Sequence, residues 1–185
     1  MNKKQLCALL LLSSLGIVPA HAVDGFSLEF SKSDSSNSDV NLYRAGLQWN
    51  WNKRWFDTGS WHLGGYWDLS LGYWDNRTIP TLKTNDSIAD IGLTPVFRFQ
   101  QDPVNGVSPY FEAAVGFHLL SATSVSTERK FGSNFQFGDH IGAGLRFGQK
   151  GQFDIGYRYQ HLSNAGITEP NQGINFHVVR LQYHF

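Results

Sequence analysis

The sequence predicts an all-β fold, an eight-stranded antiparallel transmembrane β-barrel of the bacterial outer-membrane type. Three observations carry that expectation. Apolar and polar residues alternate with period two through most of the chain. No long helical period interrupts them. Turn residues break the alternation into roughly eight runs. Mean hydropathy is −0.29, a value low for membrane helices but compatible with a barrel, where only alternate residues meet lipid.

The runs can be taken in order. The first, 24–32, and the second, 40–51, place Glu29 and Arg44 on their polar rows. The third, 61–76, sets Trp67, Leu69, Leu71 and Tyr73 against Asp68. The fourth, 87–100, sets Ile91, Leu93, Pro95, Phe97 and Phe99 against Asp90 and Arg98. The fifth, 109–122, sets Phe111, Ala113, Val115, Phe117 and Leu119 against Glu112. The sixth, 135–148, has Phe137, Ile141, Ala143, Leu145 and Phe147 on one row and Arg146 on the other. The seventh, 152–163, alternates Phe153, Ile155, Tyr157 and Tyr159 with Asp154 and Arg158. The eighth, 174–185, sets Val179, Leu181, Tyr183 and Phe185 against Arg180.

Five acids and five arginines therefore share the inner rows. A narrow eight-strand barrel fills its interior with side chains, and charges buried there need partners. Gly92, Gly116, Gly142, Gly144 and Gly156 point the same way, into limited space. A lipocalin-like soluble barrel would reverse the faces, burying the aromatics and exposing the matched charges. A closed barrel satisfies every backbone group in hydrocarbon. Trp49, Trp51, Trp55, Phe56 and Trp61 cluster near one turn, as an interfacial girdle does. Gln149-Lys150-Gly151 is a short turn of the periplasmic kind, and Ser31–Asp39 reads as a flexible loop. The terminal Phe185 resembles the closing signal of outer-membrane barrels.

Length and composition set further bounds. Residues 1–22 read as a secretory signal: Lys3 and Lys4, an apolar stretch from Leu9 to Val18, and the small-x-small site Ala20-His21-Ala22. Residues 23–185 then form one barrel domain. The single cysteine, Cys7, falls within the signal, which excludes disulfides and thiolate-bound metals from the remainder. Net charge is zero, with 15% aromatic and 16% charged residues. No basic stripe supports nucleic-acid binding.

The candidate chemistry sits on the seventh run. His161 and Ser163 continue the odd-numbered aromatic row, so they face outward with it. Two residues apart on one face, their bases are about 6–7 Å from each other. A histidine base beside a serine hydroxyl is the minimal nucleophile pair for acyl transfer. A bare H-x-S is weak, since it also describes a polar strand tip.

The wider segment says more. His161–Phe176 reads HLSNAGITEPNQGINF. Its elements His161, Ser163-Asn164-Ala165-Gly166, Pro170-Asn171 and Gly173-Ile174 resemble the signature of the PagL-type lipid A 3-O-deacylases. The resemblance implies an outer-membrane esterase that removes the 3-O-linked hydroxyacyl chain of lipid A in lipopolysaccharide. It implies Ser163 as nucleophile, His161 as general base and then acid, and Asn164 with the backbone near Gly166 as oxyanion donors. It implies no metal and no organic cofactor. Lipid A in the outer leaflet would be the partner, nucleic acid would not, and a homodimer is compatible.

One position departs from the family pattern. Where the family has glutamate after the Gly-Ile pair, this chain has Asn175. Asn175 shares the outward face and starts the strand that pairs with the one bearing His161. Its carbonyl can accept the ring N–H and orient the imidazole, but it brings no charge; in serine proteases such a change costs roughly 10⁴ in turnover. Three readings follow. Asn175 orients a slow enzyme, Glu169 swings in from the same loop, or activity is lost. The second class of function is a non-catalytic barrel with an adhesin or structural role.

The remaining candidates read as structural. His118 and His140 face inward as packing or pairs, and His177 and His184 lack metal-ligand spacing. Arg129 and Lys130 could meet lipid A phosphates, but ordinary solvated loop charges describe them better. The loops Thr78–Asp86 and Val125–Asn134 are candidate gates.

Overall fold

A computed structural model describes residues 22–34, 38–103 and 106–185. The expected signal lies outside them apart from Ala22. Eight strands form a closed antiparallel barrel in chain order: β1 (Gly25–Ser33), β2 (Val40–Asn50), β3 (Trp61–Asn76), β4 (Ser87–Gln101), β5 (Val107–Leu120), β6 (Phe135–Phe147), β7 (Phe153–Ser163) and β8 (Ile174–His184). β8 pairs with β1 and closes the sheet, with Leu28 opposite Leu181 and Glu29 opposite Arg180. The observed strands lie within about two residues of the runs read from the sequence.

The faces are as the period predicts. The outward rows leave Leu71, Phe111 and Ile141 at 64%, 61% and 68% exposure. Large apolar side chains uncovered all round the barrel suit hydrocarbon and not water. Trp51 packs edge-on against Trp55, Trp67 and Phe97 near the β2–β3 turn, and Trp61 stacks on Phe99. That aromatic cluster lies at the end of the barrel holding both β1's start and β8's finish, the turn end. The loops after β1, β3, β5 and β7 lie at the other, the loop end.

Inside, charges interlock in the middle of the barrel. Arg44 bonds Glu29 at 2.8 Å and Asp90 at 3.1 Å. Arg98 bonds Glu112 at 2.9 Å and Asp154 at 2.7 Å. Arg158 bridges Glu29 at 2.7 Å and Glu112 at 2.5 Å, and Arg180 holds Asp68 at 2.9 Å. His118 and His140 join from the inner face, each 3.7 Å from an acid, Asp90 and Glu112 respectively. At Gly144 and Gly156 a Cβ would overlap the Tyr110 hydroxyl, so the lumen has no room for one.

Three expectations need correction. Arg146 faces inward but among the described residues takes no part in the ion pairs; its guanidinium donates to the Gly151 carbonyl at the turn end. The inner rows are not polar throughout. Val40, Leu42, Trp74, Ile88, Leu162, Ile174, Phe176 and Val178 make an apolar plug at the loop end, because the strands outrun the ionic layer and their last inward positions meet loops, not lumen. Finally, Ser31–Ser33 belong to β1. The Ser33 hydroxyl donates to the Ser38 carbonyl and accepts from the Val40 N–H at 2.9 Å, which carries the strand further than its composition suggests. Of the polar stretch called a loop, residues 35–37 lie outside the described residues.

The loops close over this plug. Val125 and Phe131 belong to it. The β3–β4 and β5–β6 loops are tied by the Lys83–Ser126 bridge and by Asn85 donating to the Ser124 carbonyl at 2.6 Å. The β5–β6 loop in turn pairs with the β7–β8 loop through Phe131 and Asn171. The candidate gates are thus parts of one packed cap.

Candidate active site

β7 delivers His161 and Ser163 to the outer face at the loop end, both half-buried. β8 pairs with it so that Asn175 lies directly opposite His161. His161 Nδ1 meets Asn175 Oδ1 at 2.5 Å. An amide oxygen only accepts, so Nδ1 is the donor in this bond, which in a neutral ring leaves the lone pair on Nε2. That is the tautomer a general base needs. Ser163 Oγ makes no hydrogen bond among the described residues, to His161 or to any other group.

The loop residues 164–173 have distinct tasks. Ala165 and Gly166 adopt φ values of 55° and 74°, and the Ile167 N–H donates to the Asn164 carbonyl at 3.1 Å. Two consecutive left-handed residues with that bond make a type I′ turn, which Ala-Gly suits at its second position. Gly166 lies at its exposed tip. Asn164 is fully buried. Its N–H donates to Asn171 Oδ1 at 2.9 Å, and its amide nitrogen donates to Thr168 O and Oγ1 at 2.8 and 3.1 Å. In this arrangement its donors organise the loop, and its Oδ1 is buried without a partner among the described residues.

Glu169 is not brought to the imidazole. It is exposed, and its carboxylate accepts from the Asn171 N–H at 3.1 Å. Asn175, not Glu169, is what Nδ1 touches.

Gly173 is a position whose role only the structure reveals. Its φ is +58°, and a Cβ there would lie 2.7 Å from His161 Cε1 and 3.2 Å from Nε2. Bare backbone therefore walls the imidazole on the loop side. The Gly173 carbonyl accepts from Arg129 Nη1, which also reaches Gln172 O at 3.3 Å. Arg129 is thus a loop pin, not a solvated charge, and burial pushes its pKa below the ordinary guanidinium value. Lys130 is exposed.

Two further features went unread in the sequence. Asp139 on β6 faces outward and is the register partner of His161 on the side away from Asn175. It interrupts the row Phe135, Phe137, Ile141, so alternation alone would have found it. A groove of about 670 Å³ also runs down the outer face from His161, lined by Pro95, Phe97, Val115, Asp139, Ile141 and Tyr159. Ala113 and Val115 are smaller than Phe111 and Phe117, which flank them on the same outward row of β5, and they line the recess. At the opposite, turn end, the barrel holds a polar cavity of about 440 Å³ beside Arg98, Arg146 and His184, far from this pair. His177 Nδ1 meets the Tyr157 hydroxyl at 2.5 Å on the outer face. His184 faces Asp154 inside, at 3.3 Å.

The sequence profile of the family "Lipid A 3-O-deacylase (PagL)" matches residues 41–184. The chain belongs to the PagL family. It is 36% identical over 169 residues to lipid A deacylase PagL of Pseudomonas aeruginosa, covering 91% of this chain and 90% of that one. It is 36% identical over 130 residues to lipid A deacylase PagL of Bordetella bronchiseptica, covering 65% of each. A crystal structure titled as the outer membrane enzyme PagL superposes with a TM-score of 0.74 at 30% identity, covering 86% of this chain and 98% of that one. With the PagL family comes the setting. The protein is an outer-membrane β-barrel, and its aromatic rows face lipid.

Proposed function

We propose that this chain hydrolyses the ester of the 3-O-linked hydroxyacyl chain of lipid A, taking its substrate sideways from the outer leaflet. The observation that carries this reading is the His161–Asn175 bond at 2.5 Å on the lipid-facing surface, with Ser163 on the same face. A hydroxyl and an oriented imidazole serve no packing purpose there. They do suit an ester carried by a neighbouring glycolipid. The acyl chain would lie in the apolar groove that begins at His161.

In this reading Ser163 Oγ attacks the ester carbonyl as His161 Nε2 takes its proton. The imidazolium then returns that proton to the departing sugar oxygen. Water repeats the sequence on the acyl-enzyme and frees the hydroxy fatty acid. Asn175 holds the ring and its tautomer. The oxyanion would be met by the backbone N–H at the exposed Gly166. Asn164 would contribute only after releasing Thr168 or Asn171, so its main role here is to shape the turn. Such donors typically contribute on the order of 3 kcal/mol each. Residues 1–22 would be the export signal, removed before the barrel inserts.

The test is lipid A mass spectrometry in a bacterium of known lipid A pattern expressing the full chain. Loss of one hydroxyacyl mass is expected, and Ser163→Ala and His161→Ala should each restore the original spectrum while the barrel stays folded and heat-modifiable. An unchanged spectrum with folded wild-type protein would refute the esterase reading and leave a non-catalytic envelope barrel, an outcome that the neutral Asn175 gives physical meaning.

A further inference from the structure

The two flanks of the His161–Ser163 pair are unlike. Toward β6, β5 and β4 lies the apolar groove, walled by Pro95, Phe97, Val115 and Ile141. Toward β8 and β1 the outward side chains are polar at their tips. Tyr159 is the register partner of His177. Asp34 follows the last residue of β1, and its N–H donates to the Asn175 carbonyl at 2.9 Å. The Tyr157 hydroxyl meets His177 Nδ1 at 2.5 Å, His177 Nε2 lies 3.7 Å from Asp34 Oδ2, and the Tyr159 hydroxyl donates to that same oxygen at 3.3 Å. Tyr157 pairs in register with Val179, two residues deeper than His177, so its ring leans toward the loop end to make this contact. The side chains of Asp34 and His177 remain 56% and 49% exposed. Hydroxyls, an imidazole and a carboxylate on an outward face gain nothing from hydrocarbon.

We propose that the Asp34–His177–Tyr159–Tyr157 flank is the subsite for the sugar of the glycolipid, the alcohol half of the ester. This rests on the esterase reading above and places the leaving group. An ester has an acyl side and an alcohol side. The apolar groove suits the acyl chain, so the polar flank opposite is left for the sugar. The chemistry of the flank narrows which part of the sugar it takes. A carboxylate accepts from hydroxyl and amide N–H groups and repels phosphate. Asp34 therefore selects an uncharged stretch of a glucosamine ring and turns the phosphates away. The proximity of Asp34 favours the His177 proton on Nε2, with the Tyr157 O–H donating to Nδ1, which fixes the imidazole. The rings of Tyr159 and His177, 5.2 Å apart, offer apolar faces to the C–H side of the sugar. These groups bind and do not react. Their effect is to hold the departing sugar oxygen on the side where His161 returns the proton.

The experiment is steady-state hydrolysis of purified lipid A by the full chain in detergent micelles, reading hydroxyacyl release per folded molecule. Asp34→Asn keeps the backbone bond to Asn175 and removes only the charge. It should raise KM about tenfold and leave kcat within about twofold, the signature of lost substrate binding. His177→Phe should raise KM by about 3–10-fold and Tyr159→Phe by about threefold, again with kcat held. Should Asp34→Asn fold poorly, His177→Phe, an apolar residue on an outward face, reads the same subsite. Unchanged KM in Asp34→Asn and His177→Phe would make these side chains interfacial anchors and overturn the proposal. A fall in kcat at constant KM would overturn it too, because the cluster would then act on the base through Asn175. So would a KM rise that accompanies loss of a wild-type dimer seen by cross-linking, which would give the flank to a second copy of the chain. A wild-type chain releasing no hydroxyacyl group would bring down the esterase reading and this proposal together. An active wild type indifferent to Asp34 and His177 overturns this proposal alone.

Discussion

The lumen and the outer rim treat polar groups in opposite ways. In the lumen, Glu112 accepts from Arg98, Arg158 and Tyr66, and Tyr66 accepts from three arginines in turn. At the rim, Ser163 has no hydrogen bond and Asp139 no ion pair among the described residues, while His161 has one bond and an open Nε2. Saturated groups hold a fold together, because each removal strands several partners. Unsaturated ones keep their bonding capacity for something that arrives. The difference separates structural from chemical polarity in a chain where both kinds of residue sit on strands.

Substitutions can break each side of this contrast separately. The largest expected effect on stability is in the lumen. Glu112→Ala leaves Arg98 and Arg158 without a shared acid, and breaking a buried pair typically costs about 3–5 kcal/mol. Urea unfolding in detergent micelles should show that loss, with activity per folded molecule close to wild type. If stability were unchanged, the lumenal network would not be what holds the barrel.

An intermediate effect is expected at the rim. Gly173→Ala puts a Cβ 2.7 Å from the imidazole at a positive φ. The strain should be modest, on the order of 1 kcal/mol. The catalytic loss should be larger, because displacing a base by about 1 Å can cost 10²-fold. A steady-state assay with a melting curve separates the two. Wild-type turnover in Gly173→Ala would show that the backbone does not wall the ring.

The smallest effect is expected at the turn end. Arg54 bonds Asp57 at 2.8 Å and Asp102 at 2.8 Å, and its hydrogen bonds hold both carboxyl groups below the usual range. Arg54 and Asp57 are exposed and Asp102 is partly so, and such surface pairs contribute little. Arg54→Ala should leave both the unfolding midpoint and turnover unchanged within error, and a clear shift in either would place this cluster with the lumenal network.

The PagL-like segment was legible because it is short and contiguous. Thirteen residues on β7 and its following loop bring His161 to Gly173, and Asn175 follows at once. Arg129 was misread as a solvated charge for the converse reason. What makes it a pin is a carbonyl more than forty residues away. The apolar plug was hidden similarly. Trp74, Leu162 and Phe176 sit on inner rows whose neighbours are polar, and only the loops folding down over them reveal why they are apolar.

Alternation by itself determined which face each side chain takes, because a strand offers two faces and the aromatic rows need the lipid one. From that followed the barrel, the lumenal charges and the outward placement of Ser163, His161 and Asn175. Which residues stand beside one another across strands is a different matter. Register depends on how the hydrogen-bonded ladders close around the barrel, a property of all eight strands together, and it alone set Asp139 and Asn175 on either side of His161 and bare Gly173 backbone against its ring.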